Sequence, residues 1–150
     1  MRCFPDTSFL CAVYRTQVHS PRADQFMAGL NDALAVSTLL LLEFRQSVRL
    51  HMRLHLHDRH KGFAPMQGQR MLNDLQIDLN AGLLVTIPVD WSAVHQRAEA
   101  LSSAHTLAAG HRLADILHVA TALHLGAAEF LTFDENQKKL AEAEGLVVPV

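Results

Sequence analysis

Little in this 150-residue chain suggests secretion, membranes or covalent staples. Only two cysteines occur, Cys3 and Cys11, both in apolar segments. Their spacing suits neither a disulfide framework nor a thiolate zinc site, so both are expected to be reduced thiols in a packed interior. No apolar run approaches the ~20 residues of a spanning helix. The opening MRCFPDTSFL has no basic segment followed by a long apolar stretch, which predicts a soluble cytoplasmic protein. No repeat, low-complexity tract or linker interrupts the chain. Lysine is scarce: Lys61, Lys138 and Lys139 are the only ones, and none is spaced to neutralise a phosphoryl group beside Asp6. That argues against phosphotransfer with Asp6 as nucleophile. Formal net charge is −2, so no global field attracts a polyanion. Any nucleic-acid binding needs a local basic patch or a bound cation.

What is present is an interior. Hydrophobic residues make up 49% of the chain and charged ones 19%, enough for one domain spanning 1–150. Short apolar strands alternate with amphipathic helices. Strands are predicted at Arg2–Pro5, Ala33–Ser37, Leu83–Ile87, Glu129–Thr132 and Leu146–Val148. Helices are predicted from about Thr7, over Pro21–Gly29, from a Ser37 cap to about His57, through Met71, Leu72, Leu75 and Leu79, from an Asp90 cap to about Leu107, over Leu113–Leu125, and after Asp134. This alternation implies a parallel sheet with helices on both faces, a three-layer α/β/α sandwich. In such sheets, ligands bind at the carboxyl ends of the strands.

Asp6 and Asp134 each follow a strand directly and so fall at that edge. Each also reads as a simple helix cap, and Asp134-Glu135-Asn136-Gln137 has the form of a capping box. Glu43 follows Leu39–Leu42, and Asp115 sits in Leu113-Ala114-Asp115-Ile116-Leu117, a helix apolar on nearly every side. A buried carboxylate is costly unless a cation or strong donors satisfy it; a salt bridge to Arg112 or Arg45 is the structural alternative. Both residues are expected in the first turns of helices that start near the sheet's carboxyl edge. Four carboxylates in one cleft either hold protons at raised pKa values or bind a hard cation. Mg²⁺ or Mn²⁺ suits an all-oxygen site that keeps several waters, and such an ion draws phosphate to an acidic pocket.

From Arg45 to Lys61 the chain carries Arg45, Arg49, Arg53, Arg59 and Lys61 against Asp58, a local excess of four positive charges. Arg45, Arg49 and Arg53 share one helix face and are the candidate RNA-backbone contacts; a solvated face or dimer rim is the plainer reading. Few aromatics lie nearby, so base stacking is not indicated. Ten histidines are present. His51, His55, His57 and His60 have partial metal spacing but no clear fourth partner, and read as exposed helix histidines. His118, one turn after Asp115, reads as a packed interior or cleft histidine, and Trp91 as a packing residue.

Four segments together resemble the PIN-domain ribonucleases, especially the toxins of VapBC toxin–antitoxin type: Asp6-Thr7-Ser8-Phe9-Leu10; Ser37 with Glu43 downstream; Arg112 through Ala122; and Phe130-Leu131-Thr132-Phe133-Asp134. The resemblance covers nearly the whole chain, and the stretch from Arg112 to Gly145 is its most specific part. It implies that Asp6 and Asp115 ligate the metal directly. Glu43 and Asp134 would act directly or through metal-bound water, one of them orienting or deprotonating the attacking water. Thr132 would hydrogen-bond a carboxylate or water behind them. It also implies a small antitoxin in the cleft and a homodimer. Pro5, directly before Asp6, departs from the pattern and removes a backbone donor at the strand end. The sequence therefore reads as a Mg²⁺-dependent endoribonuclease toxin. The competing reading is a catalytically silent PIN-like module that binds RNA or protein, against which the presence of all four acids counts.

Overall fold

Short parallel strands and longer helices alternate along the chain in the computed structural model, which describes residues 1–150. The chain divides into two units: one joins Met1–Phe9 to Ile87–Val150, and the other is Leu10–Thr86.

In the first unit, β1 (Cys3–Pro5) pairs in parallel with β4 (Glu129–Leu131), setting Phe4 opposite Phe130 and Pro5 opposite Leu131. Pro5 has no N–H to give, and the next ladder bond comes from Asp6 N to Leu131 O at 3.0 Å. The strand therefore ends with Asp6 still tied to it. Phe4, Phe130 and Leu131 are completely buried, so these strands are short apolar runs rather than alternating ones. Each such phenylalanine contributes roughly 2–3 kcal/mol through burial. The predicted last strand is reduced to one parallel bridge between Glu129 and Val147. Pro149 follows two residues later and cannot donate to a continuing ladder. Cys3 is buried in β1 and Cys11 half-buried, and both are free thiols.

Asp90 caps α5 (Trp91–Leu101), its Oδ1 accepting from Ala93 N. The helix then widens into a π-helical segment, Ser102–Thr106, and closes as α6 (Leu107–Ala109). Gly110, at φ 70°, ends it in the left-handed region that glycine adopts without penalty. The predicted helix from Asp90 to about Leu107 is thus one run of mixed winding. After it, α7 (Leu113–His124) packs against α5 and buries Asp115, Ile116, His118, Val119, Ala120, Thr121 and Ala122. Finally, α8 (Glu135–Ala143) follows β4.

The second unit contains α2 (Ser20–Ala28), β2 (Leu34–Val36), α3 (Thr38–His57), α4 (Pro65–Ala81) and β3 (Leu84–Thr86). Helix α1 (Thr7–Tyr14) begins in the first unit and continues here. Strands β2 and β3 pair in parallel, Leu34 opposite Leu84. Ser37 ends β2 and caps α3, its Oγ accepting from Leu40 N at 3.1 Å. The apolar period Leu40, Phe44, Val48 buries one face of α3, while most of the stretch from Arg49 to His57 is exposed. Gly62 turns the chain from α3 towards α4 at φ 59°; a Cβ there would collide with the His51 carbonyl, so only glycine fits.

Candidate metal centre

The end of β1 fixes Asp6. The residue is buried, with 3% of it exposed. Oδ1 accepts from Phe9 N at 2.9 Å and from Ser8 Oγ at 2.7 Å, so one oxygen does cap α1. Oδ2 faces the other strand and accepts from Thr132 Oγ1 at 2.6 Å. Capping thus uses half of the carboxylate and leaves the other half for a second task. Burial pushes the carboxyl up to about 6, against the lowering effects of Thr132, Phe9 N, Ser8 and the His118 imidazole. His118 lies on α7 and is 1% exposed, in keeping with the packed histidine read from the sequence.

Thr132, just past β4, joins two acids. While donating to Asp6 it accepts from Asp134 N at 3.0 Å, and its hydroxyl lies 3.3 Å from Ser8 Oγ. Ser8 Oγ in turn accepts from Phe133 N at 2.8 Å. Asp134 caps α8 as its sequence context suggests, Oδ1 accepting from Asn136 N and Gln137 N at 2.9 Å each. Its Oδ2 lies 3.7 Å from Nη2 of Arg112.

Asp115 is the third residue of α7 and is 6% exposed. Arg112 grips it from the preceding turn: Nε donates to Oδ2 at 3.1 Å and Nη2 to Oδ1 at 3.3 Å. Gln137 Nε2 donates to the same Oδ1 at 3.2 Å. The ion pair with Arg112 that the sequence allowed is therefore present. It does not stand alone, because the same guanidinium also reaches Asp134. Asp6, Asp115 and Asp134 are in this way joined through Thr132, Arg112 and α8, all within the first unit.

Glu43 belongs to the other unit and is half-buried on α3. It is the sixth residue of that helix and so lies in the second turn, not in the first as expected. The helix begins at Thr38, directly after the Ser37 cap, and each turn takes about 3.6 residues. On the same helix Arg45 is half-buried, with Nη2 3.5 Å from Gln76 Oε1, while Arg49 and Arg53 are exposed. His51 stacks on Phe63 at 5.3 Å and its Nδ1 lies 2.8 Å from Ser47 O, which engages it in packing. Lys61 pairs with Asp58 at 3.7 Å. Trp91 is half-buried, its ring tilted over His95.

Gln137 was not singled out by sequence. In a capping box its amide would reach back to the Asp134 backbone; instead it turns inward to Asp115 and is 2% exposed. The available signal was its helical spacing with Leu140 and Ala141, which puts a polar side chain on the buried face of α8.

No three His, Cys, Asp or Glu side chains stand close enough together to form a finished cation cage. The chemistry of the set nevertheless fits a hydrated hard cation, which needs only one or two direct carboxylates. The donors are all oxygen, Asp6 is buried against the cost of its charge, and the Gln137 Oε1 is buried with no hydrogen-bond partner. Arg112 supplies the positive charge in the arrangement seen, and its side chain is 76% exposed, so it can leave without unpacking the interior.

The fold has well-defined relatives. A toxin from Mycobacterium tuberculosis, VapC20, which cleaves the sarcin–ricin loop, is 18% identical with a TM-score of 0.63, covering 97% of this chain and 96% of that one. A toxin–antitoxin complex from Klebsiella pneumoniae gives 18% identity and a TM-score of 0.64 over 100% and 98% of the two chains. FitAcB from Neisseria gonorrhoeae gives 18% and 0.59 over 97% and 95%. At this identity the likeness is one of fold. A comparison with curated proteins gives no match. The family model for the PIN domain matches residues 3–143, nearly the full length, and the chain belongs to the PIN domain family.

Proposed function

We propose that this protein is a divalent-metal-dependent endoribonuclease, acting as one domain over residues 1–150, and the toxin of a toxin–antitoxin pair. The observation that carries this reading is the carboxylate centre at the ends of β1 and β4. There, a buried Asp6 is held by three donors and connected through Thr132 to Asp134, with Asp115 facing the same α8 turn. A structural carboxylate has no need of burial that raises its pKa to about 6; a metal ligand gains from it, because a desolvated carboxylate attracts a cation strongly. Membership of the PIN family and the toxin folds among its structural relatives support the same assignment.

In this reading Asp6 and Asp115 hold Mg²⁺ or Mn²⁺. When bound, the ion supplies Lewis-acid polarisation of a phosphoryl oxygen and a water of lowered pKa. Asp134 and Glu43 act directly or through metal-bound water, one of them orienting the attacking water or accepting its proton. Thr132 keeps Asp6 ionised and correctly turned. Arg45, Arg49 and Arg53 contact the RNA backbone, supplying the positive field that the chain's net charge does not. An antitoxin protein and a second copy of the chain are the expected partners, and the cytoplasm the expected compartment.

The test is cleavage of a structured RNA pool with Mg²⁺, Mn²⁺ or EDTA, by wild type, Asp6→Asn and Asp115→Asn. Metal-dependent cleavage that both variants lose supports the assignment. Equal and negligible cleavage by all three, with or without metal, refutes it and leaves a binding module.

A further inference from the structure

Gln137 is a buried polar side chain at this centre whose amide is only half used. It is 2% exposed in the first turn of α8. Its Nε2 donates to Asp115 Oδ1 at 3.2 Å, yet its Oε1 is buried without a hydrogen-bond partner. A carbonyl oxygen left unpaired in a protein interior costs stability, because nothing replaces the water it has lost. Packing alone gives no reason to keep it, since methionine has nearly the same shape and no such cost. The amide is also fixed in orientation: the Asp115 carboxylate accepts only, so the nitrogen must face it and the oxygen must face away. Nor is the residue needed to cap α8, because Asp134 Oδ1 already accepts from the N–H groups of Asn136 and Gln137.

We propose that Gln137 is a positioning residue of the carboxylate centre. Its Nε2 sets the rotamer of Asp115, and its Oε1 is the acceptor for a water of the hydrated divalent cation held there. The inference rests on the metal-centre reading above. It adds a neutral oxygen to the acids, which lets a hydrated ion be oriented without a further negative charge to be neutralised. Groups behind a metal site of this kind typically change affinity by about 10–100-fold when removed.

The experiment measures Mn²⁺ binding to the RNA-free protein by calorimetry, with thermal melting in EDTA as the folding control. Wild type, Gln137→Met and Gln137→Glu are compared. Gln137→Met keeps the shape and loses both polar atoms, so Mn²⁺ affinity is expected to fall about tenfold or more. Melting in EDTA is expected to stay close to that of wild type, because removal of the unpaired carbonyl offsets loss of the Nε2 hydrogen bond to Asp115. Gln137→Glu keeps an oxygen at the Oε1 position but loses the Nε2 donor to Asp115, and is expected to bind Mn²⁺ more tightly than Gln137→Met. Unchanged affinity in Gln137→Met overturns the proposal. So does a Gln137→Glu that binds no more tightly than Gln137→Met, and, should Gln137→Met not fold, a Gln137→Glu that binds no Mn²⁺ at all. Wild type that binds no Mn²⁺ overturns the metal centre itself and this inference with it. A wild type that binds, with variants that match it, overturns the inference alone.

Discussion

Replacing Asp6 by Asn separates what the carboxylate does for function from what it does to stability. The folded protein holds the Asp6 carboxyl near 6, against an ordinary value of 3.8. A folded-state value raised in this way favours the protonated form. The associated stability is fully present below pH 3.8 and is lost as pH rises through about 6. At neutral pH the ion-free protein therefore carries a buried charge that costs about 3 kcal/mol, from about 1.4 kcal/mol per pH unit. Asparagine removes that charge with the same shape. Its carbonyl can keep the bonds from Phe9 N and Ser8, and its amide can donate to Thr132 Oγ1, whose own proton then turns to Ser8 Oγ, 3.3 Å away. We expect Asp6→Asn in EDTA to melt about 6–12 °C above wild type at pH 7.5, using about 2–4 °C per kcal/mol for a domain of this size. The gain shrinks towards pH 4. Added Mn²⁺ should raise the melting temperature of wild type only. A variant that melts below wild type at pH 7.5, or equally above it at pH 4 and pH 7.5, refutes the argument that burial of this one charge strains the fold.

Thr132→Val removes the donor that most lowers the Asp6 value, so Asp6 stays protonated to higher pH. The onset of Mn²⁺ binding in a pH series should move to higher pH, and an unmoved onset counts against the role given to Thr132. Gly62→Ala must adopt a positive φ and meet the His51 carbonyl, so a loss of at least about 1–3 kcal/mol is expected in urea unfolding, with the urea dependence unchanged. Replacing Arg45, Arg49 and Arg53 together by Ala should weaken RNA binding and flatten its log–log salt dependence by about 2. A salt dependence equal to that of wild type would show that the RNA takes another face.

Much of the first unit could be read from residue order. Asp6 and Asp134 follow apolar runs directly, and parallel pairing of those runs brings the following residues side by side, as Pro5 opposite Leu131 requires. Asp115 was visible as a charge within an apolar helix, and its burial and its ion pair with Arg112 were both foreseeable. Gln137 was hidden because a local pattern and a tertiary contact compete for it. The spacing Asp134-to-Gln137 suggests a cap, whereas the facing helix α7 offers a carboxylate, which is a stronger acceptor. The C-terminal run Leu146–Val148 has strand composition but only one bridge, since Pro149 cuts the ladder short. The π-helical widening after Leu101 has no signature in composition, because it depends on how one helix seats on another.

Arg112 gives the centre a cation that is tethered rather than dissolved. Because it is attached to the chain, its effective concentration beside Asp115 and Asp134 stays constant however dilute the protein is, whereas that of a free ion follows the solution. Under the proposed metal-dependent function, loading would exchange the single positive charge of Arg112 for the double charge of the ion. The apparent affinity for a divalent ion is set by the difference between the two, not by the carboxylates alone. Under the same proposal, the centre would respond to the amount of free ion around it, with Arg112 as the competing cation.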